Sequence, residues 1–78
     1  MKILKQRAKT HGNYADVAHT AQTLKTLFRE HDSFEHLPET QRESLDMIAT
    51  KIARILNGNA AEPDHWLDIA GYATLGGE

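Results

Sequence analysis

The chain contains no cysteine, which excludes both a disulfide framework and a thiolate metal site, the two commonest staples of small domains. It also lacks a long hydrophobic run. From Met1 to Arg7 only Ile3 and Leu4 are apolar, set between Lys2 and Lys5, far short of a signal segment or a membrane span. The expected location is the cytoplasm, away from any membrane. Prolines number two and glycines five, with no repeat, low-complexity run or long linker among them. No glycine-rich phosphate loop, nucleophile elbow or catalytic-triad pattern occurs, so the common signatures of phosphoryl and acyl transfer are absent.

What remains is 78 residues and 8.8 kDa, with 40% hydrophobic and 26% charged residues, expected to form a single helical domain over 1–78. Surface scaling gives such a chain roughly 4,800 Å² when folded against roughly 12,800 Å² unfolded, so it buries only about 60% of its surface. A partner copy would relieve that shortage, and a homo-oligomer is expected.

The formal charge of −2 hides an asymmetry. Lys2, Lys5, Arg7 and Lys9 fall in the first nine residues, which contain no acid. The other 69 residues carry five Lys/Arg against all eleven acids, a net of −6. Residues 1–11 therefore read as a basic N-terminal arm on an acidic body. Such an arm can touch phosphates, but the body repels a nucleic-acid backbone; a solvated terminus or an acidic neighbour is the favoured reading, with weak nucleic-acid contact as an alternative.

Periodicity predicts an all-α, three-helix domain with helices at about 14–31, 38–56 and 64–75. Gly12 permits a turn and Asn13 can cap the first helix, whose stripe is Tyr14, Val17, Ala21, Leu24 and Phe28; His19 faces away from it, toward solvent or a ligand-facing surface. Pro38 suits the start of the second helix, with the stripe Leu45, Ile48, Ala49, Ile52, Ile55 and Leu56. Gly58 is expected to end it in a left-handed cap. The third helix starts at Pro63-Asp64, and its apolar residues spread nearly all the way round, which predicts cover from a second chain, with Gly71 marking a close backbone approach. The end, Gly76-Gly77-Glu78, is expected to fray, and His65 to lie on the surface.

Asp64 and Asp68 lie four apart on one strip of the third helix and repel each other, which calls for a positive partner. An antiparallel hairpin would bring Lys51 and Arg54 level with them. Two readings use these four residues. They can form ion pairs that hold the helices in register. Alternatively, Asp64 and Asp68 can share a Mg²⁺ that bridges to phosphate oxygens while Lys51 and Arg54 hold the remaining phosphate charge. A second acidic pair, Glu43 and Asp46, lies three apart on the second helix. The resulting E-x-x-D and D-x-x-x-D pattern distantly resembles the all-helical nucleotide pyrophosphohydrolases, from which it departs in spacing and residue type.

The strings Lys51-Ile52-Ala53-Arg54-Ile55 and Asp64-His65-Trp66-Leu67-Asp68-Ile69-Ala70-Gly71-Tyr72-Ala73 resemble a family of small, phage- and prophage-encoded proteins of unknown function. The resemblance spans roughly Gly12 to Leu75. It implies a helical, oligomeric phage accessory protein with a nucleotide-like phosphorylated ligand, the matching residues being Lys51, Arg54, Asp64, Asp68 and Tyr72. On that basis the ligand would be sequestered or hydrolysed with Mg²⁺. The rival expectation is a non-enzymatic interaction module in which the same ions are structural and the apolar third helix docks on itself or on a host protein.

Overall fold

The computed structural model describes residues 11–78; the basic arm, apart from His11, lies outside the described residues. Among these residues there are four helices and no strand: α1 (Tyr14–Arg29), the single turn α2 (Asp32–Glu35), α3 (Glu39–Asn57) and α4 (Pro63–Gly77). The all-α expectation holds, with the three long helices where periodicity placed them. None is long and apolar enough to cross a membrane.

Helix α3 is central and packs on α1 to one side and α4 to the other. A helix covered twice must be approached closely, and its fully buried positions are accordingly small: Ala49 and Ala53 have no exposure, and Ser44 is buried. Ala53 packs with Val17 and Ala21 of α1. The stripe residues Leu45, Ile48, Ile52 and Ile55 flank these contacts half-buried, and Leu56 at the helix end is exposed.

The junction between α1 and α3 is tied at Gly12. Its φ is +90°, the only positive φ among the described residues, and a Cβ there would fall 2.6 Å from the Asn57 carbonyl carbon. Only glycine tolerates both the dihedral and the approach. Asn13 then caps α1, its side-chain oxygen accepting from the Ala15 N–H at 2.9 Å.

The expected left-handed cap at Gly58 is corrected: its φ is −128°. The end of α3 is satisfied by Asn57 instead, whose Nδ2 donates to the Ala53 carbonyl at 2.8 Å and to Thr20 Oγ1 at 3.0 Å, closing the helix and tying it to α1. The short α2, in a stretch without periodicity, buries Phe34 against Phe28, with ring centroids 6.0 Å apart.

Helix α4 departs from expectation at both ends. His65, expected on the surface, is 1% exposed, with its ring 5.0 Å from that of His11. At the other end the helix does not fray at Gly76 but continues to Gly77, and a Cβ on Gly76 would lie 3.0 Å from Ser44 Cβ. Gly76 thus lies close against the Ser44 side chain, while within one subunit the described residues leave the space around Gly71 open.

Candidate functional site

The packing of α3 against α4 brings one of the expected pairs together. Lys51 Nζ lies 3.0 Å from Asp68 Oδ2. The Lys51 side chain is 10% exposed, its stem packed in the helix interface and its ammonium reaching the half-exposed Asp68 carboxylate. This pair fixes the register of the α3–α4 hairpin, because sliding either helix by one turn would leave a buried ammonium without its partner.

The other residues are distributed over the surface. Asp64 is exposed and makes no ion pair among the described residues, and His19 is exposed on the outer side of α1. Arg54, about 60° round α3 from Lys51 by helical geometry, lines a cleft of 570 Å³ against α1. Tyr72 lines a different cleft, of 880 Å³, with Glu43, Asp46, Leu75 and Glu78. Among the described residues, no group of three or more His, Asp or Glu side chains is placed to hold a metal. Lys51, Arg54, Asp64 and Asp68 thus do not converge on one point.

The second acidic pair is also divided. Arg29, from the last turn of α1, holds Asp46 through two bonds, Nη1 to Oδ1 at 3.0 Å and Nη2 to Oδ2 at 2.7 Å. The guanidinium also sits over the Phe34 ring, 4.8 Å from its centroid. Its hydrogen bonds hold the Asp46 carboxyl below the usual carboxylate range and raise the Arg29 pKa. With both Asp46 oxygens engaged, Glu43 has no free acidic partner at the expected spacing. Residue periodicity could flag Asp46 as acidic but not name Arg29, which arrives across the α1–α3 connection.

The cleft between α1 and α3 holds residues that sequence reasoning did not group. Val17 and Ala21 form an apolar floor, Lys25 and Arg54 supply two cations, and Tyr14 stands at the rim, 86% exposed. The expectation that Tyr14 lies on the buried stripe of α1 is corrected: it is the first residue of the helix and is exposed. The only sequence signal for this cleft is that Lys25 follows Ala21 by one turn on the same face.

The outer side of α4 is the other unusual surface. Trp66 is 55% exposed and Leu67 65%, and Ala70, Ala73 and Thr74 are exposed beside them. The indole N–H donates to the Ala60 carbonyl at 2.8 Å, which fixes the ring against the α3–α4 loop.

No curated protein and no solved structure matches the chain. A family model matches residues 1–78, a match that carries neither a phage origin nor a pyrophosphohydrolase activity. The chain belongs to DUF6378, a domain of unknown function.

Proposed function

We propose that this chain is a non-enzymatic association module that pairs with a second copy of itself through the outer face of α4. The observation that carries this reading is that an exposed strip of α4, from Trp66 through Leu67, Ala70, Ala73 and Thr74 to Gly77, contains no charge. At the 26% charged residues of the whole chain such a strip would carry about one or two, and a solvated helix face more.

The strip is graded in size. Its bulk, Trp66 and Leu67, lies at the N-terminal end, and Ala73, Thr74 and Gly77 lie at the C-terminal end. Two copies packed antiparallel about a two-fold axis near Ala70 set each Trp66 over the small residues of the other, so the surface is complementary to itself. A parallel arrangement would oppose Trp66 to Trp66 and leave a gap at the other end.

The energetics indicate a weak dimer. A tryptophan presents up to about 250 Å², so the 55% left exposed at Trp66 is about 140 Å², or about 3.5 kcal/mol at 25 cal/mol/Å². Leu67, 65% exposed, adds about 1.5 kcal/mol. Doubled by symmetry, these gains are comparable to the roughly 4–15 kcal/mol that association costs, which gives concentration-dependent pairing rather than an obligate dimer. In this reading the Lys51–Asp68 pair is structural, presenting α4 at a fixed register. A phage accessory role, as the sequence resemblance implies, is compatible with such a module.

Sedimentation equilibrium over a dilution series tests the proposal. The expected result is a monomer–dimer equilibrium that Ala70→Glu shifts to monomer without lowering the helical signal. A wild-type chain monomeric at millimolar concentration, or a dimer unaffected by Ala70→Glu, would overturn it.

A further inference from the structure

Independently of α4, we infer that the cleft between α1 and α3 binds a small organic phosphate, its phosphate held by Arg54 and Lys25 and its flat apolar part lying on Val17 and Ala21 beside Tyr14. The charge distribution carries this inference. Residues 11–78 hold eleven acids and only five Lys/Arg. In so acidic a body cations should find carboxylates, and two do: Arg29 bonds Asp46 and Lys51 bonds Asp68. Arg42 donates to the Leu37 carbonyl. The remaining two, Lys25 and Arg54, make no ion pair among the described residues, and both line the same 570 Å³ cleft, where those residues supply no carboxylate.

Arg54 is half-buried without a hydrogen-bond partner among the described residues, and its planar fork is suited to two phosphate oxygens at once. Lys25 supplies a second, point-like charge; the carboxylate its field reaches, Asp46, is already bonded by Arg29. Thr50 lines the cleft on the α3 side, but its hydroxyl donates to the Asp46 carbonyl at 3.3 Å, so the phosphate contacts are left to the two cations. The rest of the lining is of a different kind. Val17 and Ala21 are buried, and Tyr14 is 86% exposed, so its ring is little used in packing among the described residues. A cleft with cations at one part and an apolar floor with an aromatic rim at another matches a phosphomonoester bearing a ring, and the volume lies within the roughly 300–1,000 Å³ of small-molecule sites.

The test uses the full chain and phenyl phosphate as probe, followed by amide chemical shifts in an NMR titration, with inorganic phosphate and phenol as comparisons. Phenyl phosphate should shift the amides of Tyr14, Ala18 and Thr50 and saturate in the millimolar range or below. Losing a bidentate charge-assisted contact should weaken it about tenfold or more in Arg54→Ala, and a smaller loss is expected in Lys25→Ala. Arg54→Lys should fall between wild type and Arg54→Ala, since it keeps the charge without the fork. Neither side chain makes an ion pair among the described residues, so the variants should melt with the wild type, which separates lost binding from lost folding. Shifts confined to other surfaces, an Arg54→Ala variant that binds as wild type does, or inorganic phosphate binding as tightly as phenyl phosphate would each overturn the inference.

Discussion

Replacing Gly12 with alanine should be among the most damaging single-methyl additions in this chain. Two separate effects act there. At φ +90° an L-residue is strained by about 1–2 kcal/mol relative to glycine. The new Cβ would also fall 2.6 Å from the Asn57 carbonyl carbon and 2.9 Å from Asn57 Cβ, against backbone that cannot swing aside. Relieving such overpacking costs about 1–3 kcal/mol. Moving Asn57 would disturb its bonds to Ala53 and Thr20, which close α3 and hold α1. The total is about 2–5 kcal/mol, offset by about 0.4–1 kcal/mol from the smaller entropy of the unfolded alanine chain. For a domain of this size each kcal/mol shifts Tm by about 4–8 °C, so the variant should melt about 5 °C or more below wild type. Thermal unfolding followed by circular dichroism reads this directly, at a dilution where the chain is monomeric. A Gly12→Ala variant melting within about 3 °C of wild type would refute the reasoning.

Gly71→Ala provides the opposite outcome: the helix gains up to about 1 kcal/mol because nothing stands near the added methyl, and Tm rises in the same assay. Arg29 and Asp46 govern acid stability. The folded-state pKa of Asp46 is lowered, so its contribution is fully present above the ordinary carboxylate pKa of about 4 and is lost as pH falls through the folded value. Urea titrations from neutral to acid pH should therefore show a declining limb that Arg29→Gln flattens; an unchanged limb would remove the pair from the acid response. Asp68→Ala should destabilise by about 1–2 kcal/mol, since it leaves the buried Lys51 ammonium unpartnered, whereas the double change with Lys51→Met should recover part of that loss. A double-mutant cycle in urea checks the coupling, and strict additivity would contradict it. His65→Ala, emptying a 1%-exposed position, should cost about 2 kcal/mol or more by the same measurement, against almost nothing for a surface histidine.

The helices were legible because their signals are local. Asn13 caps the first, Pro63 opens the last, and the apolar spacing of the second matches the buried strip of α3. Lys51 with Asp68 was legible for the same reason, since an antiparallel hairpin restricts which turns can meet. Properties that depend on a third element were not. Whether Gly58 or Asn57 closes α3 depends on Thr20 of α1, and whether Arg54 faces α4 or α1 depends on a rotation of about 60° that neither helix wheel encodes alone. His65 shows the same limit: its place in the first turn suggested solvent, but packing beside His11 buries it. The excess of apolar residues on α4 was visible, and within one subunit it stays uncovered.

Trp66 is the only tryptophan in the chain and lies on the strip held to pair, so its own fluorescence reports on the central claim. Acrylamide quenching of Trp66 should be measured from low micromolar to millimolar protein. Self-association through α4 predicts strong quenching in dilute samples, falling as concentration rises, with Ala70→Glu holding the dilute value throughout. Quenching that is independent of concentration in a wild-type chain shown by sedimentation to self-associate would place the interface elsewhere and contradict the account.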